Sequence, residues 1–301
     1  MKQNWILLLL IFFFMSEPAA SQDRTLKILN YNVLHGLNND TTKIEAFISW
    51  VKDQEPDIIA YQELNDFNLD KLKAMASAYG HQYAVINTGV THPIGLTSRY
   101  PITNVKRDTV TMWHSYLYGN IQGLHIFVTH LSPFEVKLRR DDIDKVISQA
   151  SLLPQQEKIL IAGDFNSLAA MDSVHYDSDL LTAMRRSEGR REPKSGLPIV
   201  KGKTIYRNNL DNGFIDYTVT GKVLAAGYKD AYYLVQKTFK HSVPTKGHAS
   251  KNSKLRRIDY IWVNGAAAQH VVAADIIHDV QTHHLSDHYP VFLEIKHSPK
   301  N

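Results

Sequence analysis

Short β-rich apolar runs alternate with helix-periodic stretches along most of this chain, and that alternation restricts the architecture before any single residue is considered. Leu26 to Val33 is β-rich. After the polar turn Asn38-Asn39-Asp40, the residues Ile44, Phe47, Ile48 and Val51 recur on one face of a helix, with Thr42 and Glu45 at capping-box spacing. Asp57 to Tyr61 reads as a buried strand, and Leu69, Leu72, Ala76 and Tyr79 form a second helical stripe that Gly80 ends. Strand-like runs follow at Gln82 to Ile86, Val105 to Trp113 and Leu124 to Thr129. Next come a helix with Ile143, Val146, Ile147 and Ala150 inward and a buried strand from Lys158 to Ala162. Further strands are predicted at Asp216 to Val219, Ile258 to Val263, Val271 to Ile277 and Pro290 to Ile295. The pattern predicts a mixed α/β (α+β) fold with sheet packed on sheet.

Lys2 precedes ten consecutive apolar residues, Ile6 to Met15, and then the small-residue stretch Ala19-Ala20-Ser21. That is the pattern of a cleaved signal peptide over residues 1–21, and it predicts a secreted or periplasmic protein. A membrane anchor would need about 20 apolar residues, whereas this run stops at Ser16, Glu17 and Pro18, so no stable membrane insertion is expected. Residues 22–301 contain no repeat, low-complexity tract or linker, which predicts a single domain, expected as a monomer. The chain has no Cys. Thiolate catalysis, Cys-ligated zinc and disulfide stapling are therefore excluded, and stability must come from the core that a 44% hydrophobic composition allows. Lys2 and Glu17 leave together with the signal, so the formal net charge stays at +4. So small a balance does not choose between anionic substrates and none.

Polar residues recur at the C-terminal ends of the apolar strands: Asn32, Glu63, His130, and Asp164 with Asn166. Open α/β sheets bind ligands at that edge. Any single residue there could equally be a turn former or a helix cap. The series as a whole argues for a site.

These residues lie in motifs that occur in a recognisable order: Asn30-Tyr31-Asn32-Val33, Tyr61-Gln62-Glu63, Thr129-His130-Leu131, Gly163-Asp164-Phe165-Asn166, Arg257-Ile258-Asp259-Tyr260 and Ser286-Asp287-His288-Tyr289-Pro290. Each is short, and Gly-Asp-Phe-Asn is the most specific. Together they cover essentially the whole chain after the signal, which is identified as resembling the endonuclease/exonuclease/phosphatase superfamily. That group includes deoxyribonuclease I, bacterial sphingomyelinases, inositol polyphosphate phosphatases, deadenylases and abasic-site endonucleases. The resemblance implies a four-layer sandwich, two mixed β-sheets packed face to face with helices outside, and an active site at one end.

Attack on a phosphoester loads negative charge onto phosphoryl oxygens, which calls for a hard cation; Mg²⁺ takes one or two carboxylates plus waters and substrate oxygens. Mg²⁺ is therefore the expected cofactor, with Mn²⁺ or Ca²⁺ as substitutes, and Glu63 is the first choice of ligand. The resemblance implies that Asn32 and Asp287 complete or neighbour the metal site. It implies that Asp164 aligns the attacking water or binds a second ion, and that Asn166 bonds a non-bridging oxygen. His288 is the expected base, its other ring nitrogen held by Asp259, and His130 binds the phosphate or assists the leaving oxygen. His125, His278, His283 and His284 lack motif support and are assigned to surface or structural positions, although His283 and His284 lie close to Asp287 in sequence.

The motif details narrow the branch. His130 stands where abasic-site endonucleases carry Tyr, Ser167-Leu168 replaces the Tyr-Arg of inositol phosphatases, and a signal peptide contradicts deadenylation inside cells. Secreted nucleases and sphingomyelinases remain, with nucleic acid favoured over a lipid head group; a catalytically silent binding module is the remote alternative. Two basic segments, Arg185 to Lys203 and Lys246 to Arg257, either track a nucleic-acid backbone or are solvated surface. The aromatic stretch Trp113 to Tyr118 is expected to pack between strands, with a base-stacking platform or a membrane wedge as alternatives.

Overall fold

The computed structural model describes residues 24–189, 200–201, 204–205 and 209–297. In chain order its strands are β1 (Arg24–Asn32), β2 (Ile58–Gln62), β3 (Tyr83–Ile86), β4 (Gly95–Ser98), β5 (Ile102–Asp108), β6 (Tyr116–Ile121), β7 (Leu124–His130) and β8 (Lys158–Asp164). Then come the two-residue pieces β9 (Val200–Lys201), β10 (Thr204–Ile205), β11 (Leu210–Asp211) and β12 (Phe214–Ile215), followed by β13 (Lys229–Asp230), β14 (Asp259–Val263), β15 (Val271–Ile276) and β16 (Val291–His297). Two six-stranded sheets result, in the orders β15-β16-β1-β2-β4-β3 and β13-β14-β8-β7-β6-β5. Each contains one parallel pair, β1 with β2 and β7 with β8, so both sheets are mixed.

Side chains alternate between the faces of a strand, and here both faces are covered. Ile28, Ile58, Ile126, Leu160, Ile261 and Leu293 meet in the core between the sheets. Their neighbours Leu29, Ile59 and Tyr61 point outward beneath the helices Thr41–Gln54 and Leu69–Ala78, which supply Phe47, Trp50 and Leu72. On the other sheet Phe127, Ile161 and Trp262 lie beneath Ile143 and Val146 of the helix Val136–Ser151 and Val219 of Thr218–Ala225. Coverage on both faces is why the central strands read as unbroken apolar runs. The four layers match the expected sandwich. Gly163 has a packing role in β8: a Cβ there would meet Thr129 O at 2.1 Å.

Several local expectations need correction. The helix from Thr41 is capped by Asp40, whose carboxylate accepts from Thr42 N and Lys43 N, and not by a Thr42–Glu45 box. The run Val105 to Trp113 is strand only to Asp108, because the Asp108 carboxylate takes the amides of Val110 and Thr111 and turns the chain. Asp216 to Val219 is not a strand. Asp216 Oδ1 accepts from Thr218 N at the entry to a helix whose Val219 and Val223 are buried one turn apart, so tertiary packing overrides a β-branched sequence. The aromatic stretch, by contrast, packs between strands as expected, its alternation intact from Tyr116 onward although Ser115 lies at φ +102. Leu117 then points between the sheets while Tyr116 and Tyr118, 6% and 3% exposed, pack beneath the helix Val136–Ser151. Those buried rings are core, and neither a stacking platform nor a membrane wedge.

Candidate active site

Strand direction assembles the site. The parallel pairs β1/β2 and β7/β8 bring Asn32, Glu63, His130 and Asp164 to one edge, where cross-strand register sets His130 opposite Asp164. β14 runs antiparallel to β8 and starts at that edge, which sets Asp259 opposite Asp164. β16 is antiparallel to β1, so the turn before it delivers Asp287 and His288. Ser286 fastens that turn: its Oγ donates to Asn32 O at 2.8 Å and accepts from His288 N at 3.2 Å.

The structure brings Asn32, Glu63, His130, Asp164, Asn166, Asp259, Asp287 and His288 together at this edge. Asn32 Nδ2 donates to Glu63 Oε1 and to Asp164 Oδ2, both at 3.1 Å, while its Oδ1 accepts from Leu34 N. Asp259 Oδ2 and His288 Nδ1 are 2.8 Å apart. The opposite nitrogen, His288 Nε2, lies 3.8 Å from Asp164 Oδ2 and 3.9 Å from Asp287 Oδ1. His130 Nε2 is 3.5 Å from Asp164 Oδ2 and 4.0 Å from Glu63 Oε1. Asn166, in the left-handed region at φ +46, donates its amide N–H to Asp164 Oδ1 at 2.8 Å and its Nδ2 to Leu131 O at 3.0 Å. Asn166, Asp287 and His288 line a cavity of about 210 Å³ together with Asn209 and Arg256.

The electrostatics are lopsided. Among the described residues, the ion-pair partners of Glu63, Asp164, Asp259 and Asp287 are all histidines. Burial, then the charges of Asp259 and Glu63, push the Asp164 carboxyl up to about 7 against the opposing pull of His288 and the Asn166 amide. Burial also works to raise Glu63, but His130, His288 and the hydrogen bonds from Asn32 and the His35 amide hold it down at about 2. Burial disfavours a charged His288, yet Asp259, Asp287 and Asp164 outweigh it and raise the imidazole well above its ordinary value. Such perturbed groups in one concavity mark functional sites more often than chance placement would.

The profile of the Endonuclease/Exonuclease/phosphatase family matches residues 29–288. The chain belongs to that family. Its fold is similar to that of an AP endonuclease from Archaeoglobus fulgidus, with a TM-score of 0.63 and 15% identity over 89% of this chain and 98% of that one. A 3'-5' exonuclease from Neisseria meningitidis aligns with a TM-score of 0.63 and 17% identity, covering 90% and 99% of the two chains. TDP2 from D. rerio, complexed with a single-strand DNA product, gives 0.60 and 16% over 90% and 99%. No curated protein matches the sequence closely enough to count as a relative. Family members are phosphoester hydrolases, and this chain carries a candidate acidic and histidine metal site.

Around the family motifs the structure redistributes the basic residues. Arg185 and Arg186 end the helix Ser178–Ser187 instead of opening a loop, while Arg190, Arg191, Lys194 and Lys203 lie outside the described residues. Arg257 leaves the surface altogether: it is 1% exposed, with its Nε on Asp172 at 2.9 Å and its Nη1 on Asp230. Arg256 is the member of the second run that borders the site cavity. His125 stacks on Tyr118 and His278 on Tyr289, and His283 Nδ1 is 2.9 Å from Tyr289 Oη, which gives all three structural settings. Motif reading missed His35 and His92 beside Glu63, and His114 stacked 4.6 Å from His130. His35 follows β1 by three residues, so the strand-end criterion could have found it; His92 and His114 sit in loops with no comparable signal.

Proposed function

We propose that this chain is an exported, divalent-cation-dependent phosphodiesterase that acts on nucleic acid. The observation that carries the reading is the convergence of Glu63, Asp164, Asp259 and Asp287 with histidines as their ion-pair partners. A hard cation fits that donor set: the oxygens are carboxylate, and Asp259 Oδ1 is buried without a hydrogen-bond donor among the described residues. Glu63 and Asp287 would hold the ion, and Asn32, whose Nδ2 spans Glu63 and Asp164, keeps the carboxylates in register. When bound, Mg²⁺ or a substitute such as Mn²⁺ or Ca²⁺ compensates the carboxylate field and the charge developing on phosphoryl oxygens.

The chain's own residues do the rest. Asp259 fixes the His288 ring through Nδ1, so Nε2 faces Asp164; once a bound cation offsets the carboxylate field that holds the imidazole charged, Nε2 would take the proton of a water aligned between them. Asn166 and His130 flank the same point and offer N–H donors to phosphate oxygens. Nucleic acid is preferred because Arg256 borders the site, because similar folds are described with DNA, and because Tyr116 and Tyr118 are buried where a lipid-engaging hairpin would need exposed rings. Export rests on residues 1–21. The test is a parallel assay of the purified protein against DNA, RNA, sphingomyelin and phosphoinositides with Mg²⁺, Mn²⁺ or Ca²⁺, with and without EDTA. Cleavage of nucleic acid abolished by EDTA is the expected result. Turnover that survives chelation sinks the cation assignment, and sphingomyelin cleavage without nuclease activity sinks the substrate.

A further inference from the structure

Around Oε2 of Glu63 lies a group of residues that the hydrolytic reading does not use. From Leu34 to Asn39 six consecutive residues have positive φ, between +40 and +64, although Gly36 is the only glycine among them. Each L-residue in that region costs roughly 1–2 kcal/mol, so the turn persists because other contacts hold it. Gly36 N donates to Glu63 O at 2.6 Å, and a Cβ on Gly36 would lie 2.3 Å from Asn65 O. The result is specific: His35 N donates to Glu63 Oε2 at 3.1 Å, and His35 Nδ1 lies 3.6 Å from the same oxygen. Strain of this kind concentrates where function requires a fixed side chain.

A second loop also reaches Glu63, and its His92 ring lies 5.9 Å from that of His130. Leu64 N donates to Pro93 O at 2.8 Å and Asn65 Nδ2 to Thr91 O at 2.9 Å, which brings His92 to within 5.7 Å of His35, ring centre to ring centre. Thr91 Oγ1 lies 3.1 Å from His92 Nδ1, an orienting hydroxyl of the type that selects which ring nitrogen faces a metal. One potential ligand atom from each of His35, Glu63 and His92 lies within 4.8 Å of the others. A tetrahedral Zn²⁺ with bonds of about 2.1 Å sets its ligand atoms about 3.4 Å apart, so atoms that now lie within 4.8 Å of one another would have to close in on the ion. Two imidazoles with one carboxylate suit borderline ions such as Zn²⁺ better than Mg²⁺. The His35 side chain is 53% exposed, which leaves a coordination position open to solvent.

Glu63 divides its oxygens between the two sides. Oε1 meets Asn32 and His130, and Oε2 meets His35. We infer that His35, Glu63 and His92 form a second cation site, for a borderline ion of the Zn²⁺ type, bridged through the Glu63 carboxylate to the catalytic centre. It rests on the hydrolytic reading only in sharing Glu63. The experiment is calorimetric titration of Zn²⁺ into the purified protein in saturating Mg²⁺, repeated with Co²⁺ as an absorbing substitute. His35→Asn keeps a residue that tolerates the left-handed turn while removing the imidazole; His92→Ala removes the other. The expected result is one Zn²⁺ equivalent in the wild type, weakened at least about tenfold in each variant and unchanged in His283→Ala, with the Co²⁺ ligand-field band lost in parallel. Zn²⁺ affinity indifferent to both variants, or absent whenever Mg²⁺ saturates, overturns the site. The catalytic reading fails separately, through insensitivity of turnover to EDTA.

Discussion

Arg257 and Asp259 are two residues apart, both buried, and both in ionic networks, yet the two networks are built for opposite ends. Arg257 is enclosed: Asp172 and Asp230 take its nitrogens, Tyr233 Oη donates to Asp172 at 2.5 Å, and the rings of Tyr233 and Tyr260 lie 4.7 Å from the guanidinium. Its charge is raised further out of titration by those carboxylates although burial opposes this. Asp259 meets His288, behind which stand Asp164, Asp287 and Glu63 with histidines for company. The first network sets two carboxylates around one permanently charged guanidinium, with Tyr233 Oη on one of them and Arg257 Nη2 without a hydrogen-bond partner among the described residues, and it holds β14 against its neighbours. The second leaves negative charge to be met from outside, as a site that binds a cation and a phosphoester requires. Burial alone separates neither case; the kind of cation does, a guanidinium that keeps its charge in the first and titratable imidazoles in the second.

The largest test of this contrast is catalytic. His288→Ala and Asp164→Asn should each lower turnover at least about a hundredfold, the scale of losing a general base or its aligned water, with circular dichroism unchanged. If His283→Ala crippled the protein and His288→Ala were benign, the base would be misassigned. On the other network the effect should be on folding: Arg257→Ala strands two buried carboxylates and is expected to cost about 3–5 kcal/mol, read as a large fall in Tm. A Tm unmoved by that change would mean the guanidinium does not hold those two carboxylates as described. Asp164→Asn should behave in the reverse sense in cation-free buffer. Removing a carboxyl held at about 7 by burial and like charges should raise Tm by about 2–4 °C, the shift produced by roughly 1 kcal/mol in a chain of this size.

Gly163 joins the two regions, because β8 pairs with β14 on one side and with β7 on the other. Gly163→Ala forces a Cβ toward Thr129 O and should cost about 1–3 kcal/mol while displacing Asp164, so stability and turnover fall together; loss of one alone would argue against that close approach. The smallest expected effect comes from a buried group whose neutral form is the satisfied one. His81 gives Nε2–H to Pro56 O at 2.8 Å and accepts at Nδ1 from Thr97, and burial lowers it from 6.5 to about 4. The unfolded chain therefore binds the extra proton first, so stability is full above 6.5 and drains as pH falls toward 4. Denaturant midpoints measured across that interval should fall with pH in the wild type and fall less in His81→Gln.

Much of the catalytic half was legible in advance because it depends on local signals. A strand of apolar residues ended by Asn32, Glu63, His130 or Asp164 states its own boundary, and the motif order supplies the edge at which those ends meet. The pieces that the sequence left open or misled on turned either on partners remote in sequence or on a local cap that overrode strand propensity. Arg257 closes a run of surface-like cations, and only Asp172 and Asp230 make it internal. Tyr116 and Tyr118 could stack on bases or pack; the helix Val136–Ser151 above them decides. Thr218 and Val219 have strand-forming side chains but follow an Asp216 that starts a helix.

By itself the sequence determined the two periodicities, hence sheets between helices, and the polar residues that must emerge at one sheet edge, because both are set by neighbours a few positions apart. The tertiary structure alone decided which charges meet. Glu63 shows why: Oε1 faces Asn32 and His130, Oε2 faces His35, and His92 reaches it through a loop between β3 and β4. A carboxylate's two oxygens are indistinguishable along the chain and become different only when separate segments of the fold meet each of them.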